Sequence, residues 1–124
     1  MRKIDLEDRL IEFSVLIIKI ADSLPNTLAG KTLSGQIIRS GISVALNYGE
    51  ALGAESRKDF IHKIKIILKE LKETFINLKI IHKSKTFKNE NLIINAKKEN
   101  NELISIFVSS IKTAKQNLKS SNQK

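Results

Sequence analysis

Between Phe60 and Leu78 apolar side chains return every three or four residues, at Phe60, Ile64, Ile67, Leu68, Leu71, Phe75 and Leu78. That is the period of one helix face, held for about five turns at 3.6 residues per turn. A strand, whose side chains alternate with period two, cannot use it. A stripe this long needs other long apolar faces to cover it. The rest of the sequence provides them, and its only proline is Pro25, so little else forces a long helix to break.

Three more stripes follow the same rule. The first spans Asp5 to Leu24, with Leu6, Leu10, Phe13, Ile17, Ile20 and Leu24 on one face. Asp5, Glu7 and Asp8 suit the positive end of its dipole, and Pro25-Asn26 stops it. After a loop through Gly30 and Lys31, the second begins near Thr32 or Ser34 and runs to Leu52. Its face is Leu33, Ile37, Gly41, Val44, Tyr48, Ala51 and Leu52, and the small residues Gly41, Ala45 and Ala51 invite a close neighbour. Ser56 and Asp59 read as a capping box for the third, which ends near His82. A polar loop covers Ser84 to Asn91. The fourth runs from Glu90 to Leu118 through Ile93, Ala96, Leu103, Ile104, Phe107, Ile111 and Ala114, with Asn100 as a polar defect on the same face. The expectation is an all-α, antiparallel, up-down-up-down four-helix bundle. It forms one domain over 1–119 and leaves 120–124 as a disordered tail.

The 124 residues are enough to bury a core without staples. Cysteine is absent, which excludes disulfides and thiolate metal sites. The charged opening residues do not resemble a secretory signal. The most apolar run, Phe13 to Ile18, is too short to span a bilayer and lies between Glu12 and Lys19. These features predict a soluble, cytoplasmic protein.

Nothing converges on catalysis. His62 and His82 stand twenty residues apart on one predicted helix, about 30 Å at 1.5 Å per residue. No Glu-x-x-His pair, P-loop or G-x-G-x-x-G is present. Ser56 and Asp59 are accounted for as a cap. No catalytic residue, cofactor, metal or small-molecule substrate is expected.

The net charge of +9 is lopsided. Residues 1–56 carry 6 Lys/Arg against 7 Asp/Glu, and residues 57–124 carry 16 against 6. Such a basic half fits an anionic partner, nucleic acid first. It also fits mere solubility, and the Lys, Ile and Asn content is what an AT-rich genome yields. Lys58, Lys65, Lys69, Lys72 and Lys79 mark the outer side of the third helix, and Lys83, Lys85 and Lys88 follow in the loop. These eight are the candidate nucleic-acid contacts. With few aromatics to stack on bases, contact would be with the phosphate backbone and nearly independent of sequence. The competing reading is a scaffold for protein partners. A membrane-surface role is weaker, because the basic faces lack an apolar aromatic edge.

Two helices carry more apolar surface than one core face needs. Ile11, Val15 and Ile18 lie opposite the first stripe, and Ile66, Ile76 and Ile80 opposite the third. Stray surface isoleucines are normal, but their presence on two helices favours a subunit interface in a homo-oligomer. On the second helix Gln36, Arg39, Ser43, Asn47 and Glu50 form a polar line. It reads either as a binding surface or, preferably, as a hydrogen-bonded seam in which Arg39, partly buried, pairs with Glu50 or Glu73.

The run Arg39-Ser40-Gly41-Ile42-Ser43-Val44-Ala45-Leu46-Asn47-Tyr48-Gly49-Glu50 resembles the R-x-x-x-S-[IV]-x-x-N-[IA]-x-E signature of the four helix bundle protein family. That family includes proteins encoded in intervening sequences of bacterial 23S ribosomal RNA genes. Ser56-Arg57-Lys58-Asp59-Phe60 is similar to its S-x-x-D-F element, and Leu68 to Thr74 to its third-helix pattern. Tyr48-Gly49-Glu50-Ala51 stands where the family often has Ile-Ala-Glu-Gly, Gly53-Ala54-Glu55 replaces the usual Gly-Arg/Lys before the serine, and Leu71 replaces a small residue. The resemblance implies an antiparallel four-helix bundle and a ring-like homopentamer. It also implies RNA or a ribonucleoprotein as partner, since a related accessory protein of retroelements binds a reverse transcriptase and nucleic acid.

Overall fold

The computed structural model describes residues 5–122. Four helices follow one another: α1 (Leu6–Asp22), α2 (Leu28–Leu52), α3 (Arg57–Ser84) and α4 (Glu90–Asn122). They form an all-α up-down-up-down bundle, and no strand occurs among the described residues. Each helix packs on its sequence neighbour, while α1 and α4 meet more lightly. That last seam is pinned by Arg9, which reaches Glu99 at 2.6 Å and Glu102 at 2.9 Å.

Most of the expected stripes are the core, although Phe75 of the α3 stripe is half-buried and lies outside it. Leu10, Phe13, Ile17 and Ile20 of α1 meet Ile37 and Val44 of α2, Ile64, Ile67, Leu71 and Leu78 of α3, and Ile93, Leu103 and Phe107 of α4. Ile61 and Ile81, outside the predicted stripe, are buried as well, while Leu52 is exposed. Gly41 is where α1 and α2 come closest, since a Cβ there would stand 2.7 Å from Ile17 Cγ2. Ser14 donates to the Gly41 carbonyl at 2.9 Å across the same contact.

Asn100, the polar defect, is fully buried. In the amide orientation that satisfies both of its ends, its nitrogen donates to the Leu71 carbonyl (3.0 Å) and its oxygen accepts from the Phe75 amide (3.1 Å). The side chain thus ties α4 to the backbone of α3 and meets the rule that buried polar groups find partners.

Helix ends depart from the expectation in four places. α1 stops at Asp22, with Leu24 still buried beyond it. α2 begins at Leu28, not Thr32, because Thr27 caps it by accepting the Gly30 amide at 3.0 Å. Gly30 is a helix residue lying against the preceding turn, where a Cβ would fall 1.9 Å from the Pro25 carbonyl oxygen. α3 continues to Ser84 and closes on Lys85, whose φ of 56° is left-handed. Lys83 is therefore helical, not in the loop. α4 continues past Leu118 through Asn122, so residues 120–122 of the expected tail are helical. Residues 123–124 lie outside the described part. The predicted cap of α3 is present: Ser56 accepts the Asp59 amide at 3.1 Å.

Candidate functional site

On α3, positions 65, 69, 72, 76 and 80 recur at helical spacing on an exposed side, with half-buried Leu68 between them and the core. With Gln36 and Arg39 of α2, and Asn77 and the Arg39-paired Glu73 of α3, they line a surface groove of about 720 Å³. Leu68, Ile76 and Ile80 make its apolar floor, and Lys65, Lys69 and Lys72 its basic rim. Ile76 is 58% exposed and Ile80 47%. The groove therefore joins residues drawn from all three predicted sets: the lysines, the extra apolar stripe and the polar line.

The polar line is a seam for only part of its length. Arg39 bridges to Glu73 at 2.9 Å and to Glu70 at 3.5 Å, which links α2 to α3. It does not pair with Glu50, which takes Lys63 at 3.0 Å instead. Arg39 is also 62% exposed, so the expectation of a partly buried guanidinium is corrected: its stem runs over the helix surface and its head stays in water. Ser43 and Asn47 are satisfied within α2, where Asn47 Nδ2 donates to the Ser43 carbonyl (2.9 Å) and hydroxyl (3.0 Å). Gln36 is exposed at the groove.

Behind the rim lies a buried polar patch that the apolar periods did not reveal. Thr74 donates to Ser40 at 2.8 Å. Glu70 is largely buried beside it, and burial, then repulsion from Glu73, pushes its carboxyl above the usual range, with Arg39 and Lys69 opposing. A sequence signal exists in retrospect: Glu70, Thr74 and Asn77 fall on the core side of α3 at spacings of four and three.

All eight predicted lysines are exposed. None of them has a carboxylate within 4.0 Å among the described residues. They do not form one patch. Lys65, Lys69 and Lys72 rim the groove, and Lys58 sits in the first turn of α3. Lys79 stands 4.7 Å over the Phe75 ring. Lys83, Lys85 and Lys88 gather at the α3–α4 connection, where Lys85 and Lys88 flank a hollow of about 490 Å³ together with His82 and Asn89. Lys97, absent from the predicted set, joins this end and lies 3.3 Å from His82 Nδ1.

The remaining predicted interface residues lie elsewhere. Ile11 and Val15 of α1 are 47% and 44% exposed, while Ile18 and Ile66 are half-buried and line no part of the groove. Among the described residues no three His, Asp or Glu side chains stand together as metal ligands. No described helix is long and apolar enough to cross a membrane.

Residues 2–109 match the family described as "23S rRNA-intervening sequence protein". No curated protein matches the chain. A crystal structure of a protein of unknown function, of the S23 ribosomal protein family from Bacteroides thetaiotaomicron, is 33% identical with a TM-score of 0.80. The match covers 87% of this chain and 99% of that one. Neither description names an enzymatic activity.

Proposed function

The chain belongs to the 23S rRNA-intervening sequence protein family, and from that premise we propose that it is a non-enzymatic, cytoplasmic homo-oligomer, five copies being the expected number, that binds RNA or a ribonucleoprotein through its basic surface. The observation that carries this reading is the set of eight exposed lysines between Lys58 and Lys88 that have no carboxylate partner among the described residues. Unpaired ammonium groups bind phosphates by releasing counterions, without a built pocket. Repetition of the charge around an oligomer multiplies the field.

The test is fluorescence anisotropy of a labelled generic single-stranded RNA over a range of salt. Affinity should fall steeply with salt. Replacing Lys83, Lys85 and Lys88 together by alanine should make the log–log slope shallower by about 2, at about 0.7 per lost phosphate contact. Absence of binding would overturn the RNA reading and leave a scaffold for protein partners, and binding indifferent to salt and to the triple variant would overturn the basic surface as its site.

A further inference from the structure

The groove on α3 has a floor that RNA phosphates have no use for. Leu68, Ile76 and Ile80 are apolar, and phosphate binding draws only on the charged rim. A lysine rim over an apolar floor fits an acidic helix with an apolar spine.

This chain carries one. On the outer face of α1, Ile11, Val15 and Ile18 make a spine at spacings of four and three. Asp8, Glu12 and Asp22 flank it on the same side, with Lys19 as the only exposed cation there among the described residues. The lengths also agree. Asp8 to Asp22 spans about 21 Å and Lys65 to Ile80 about 22 Å at 1.5 Å per residue. The other exposed large apolar residues make no comparable stripe. Leu46 and Leu52 on α2 are six residues apart, Ile94 and Val108 on α4 fourteen, and Leu28 stands alone.

We infer that the α2–α3 groove of one copy receives α1 of a second copy, with Ile11 and Val15 against Leu68, Ile76 and Ile80, and with Asp8, Glu12 and Asp22 spread along a basic edge that runs from Lys65 through Lys69 and Lys72 to Lys79, about 21 Å in all. The inference rests on the oligomeric reading above and says which surfaces meet. The two faces are different patches of one protomer, so the contact is head-to-tail and every copy both gives a helix and receives one. Such an assembly uses up the groove lysines and leaves those at the α3–α4 connection for RNA.

Two experiments without RNA test it. In the first, mass is measured by light scattering at tens of micromolar protein, with helicity checked by circular dichroism. Lys65→Glu, Lys69→Glu and Lys72→Glu together should reduce the assembly to a 14.0 kDa protomer. So should Asp8→Lys, Glu12→Lys and Asp22→Lys. All six in one chain should restore the wild-type mass. In the second, Val15→Cys and Ile76→Cys are made separately, in a chain that has no cysteine of its own. Oxidising the mixture should give a disulfide-linked dimer that neither variant gives alone. A wild-type protein that is a protomer overturns the oligomeric reading itself. An oligomer unmoved by either reversal, not restored by their combination, or cross-linked by Val15→Cys alone overturns the head-to-tail assignment and leaves the oligomer standing.

Discussion

Glu70 shows how much one side chain can hold in this bundle. It is nearly buried between α2 and α3, and its one cationic hydrogen-bond partner, Arg39, is 3.5 Å away and engaged more closely with Glu73. Burial and the Glu73 charge raise its folded-state pKa above the ordinary carboxylate value. In the window between those two values the native state holds more protons than the unfolded one, so stability falls as pH rises through it. Glu70→Gln keeps the shape and removes the charge. Urea midpoints taken from pH 4 to 8 should decline across that window in the parent and stay flatter in the variant. Equal slopes would mean that Glu70 titrates as an ordinary surface carboxylate. Asn100 contrasts with it. Its two bonds go to the α3 backbone, which is neutral, so it contributes no comparable pH dependence.

At the scale of elements, α2 holds the sharpest contrast. Gly41 faces Ile17 with no room for a Cβ, whereas Gly35 has nothing within 4 Å of the Cβ it lacks. Gly41→Ala should destabilise by about 1–3 kcal/mol through overpacking, and Gly35→Ala should stabilise by up to about 1 kcal/mol through helix propensity. Chemical denaturation of the pair checks both signs. If the two variants shift the same way, the close α1–α2 approach is not what holds Gly41. The sequence made Gly41 legible, because a small residue in the middle of an apolar stripe has to be explained. The four helices and most of the core were legible for the same reason, since period is a property of the chain alone. The start of α2 was not, because Gly30 looks like a loop residue until Pro25 is known to press against it. Nor was the partner of Arg39. Glu50 shares α2 with Arg39 and lies eleven residues on, about 16 Å along the axis, and the packing of α2 on α3 is what brings Glu73 to 2.9 Å. The groove was legible in pieces, as lysines, isoleucines and a polar line, but their meeting on one face depends on which flank of α3 the core leaves free.

For the whole molecule, assembly and RNA binding call on different chemistry, so they can be separated. Apolar packing of Ile76 and Ile80 is proposed to hold copies together, while lysines meet phosphate. Ile76→Ser with Ile80→Ser removes no charge and touches no lysine in an ion pair. Both positions are surface-exposed in the single chain, so the fold should survive, as thermal melting by circular dichroism will report. If charge summed over copies drives RNA binding, this neutral double variant should fall to a protomer and lose at least about tenfold in RNA affinity, because linked sites bind with an avidity that single ones lack. The salt slope should become shallower at the same time, since fewer phosphates are engaged per particle. A protomer that keeps full affinity and the full slope would instead show that one copy's lysines at the α3–α4 connection suffice. The oligomer would then serve some purpose other than concentrating charge.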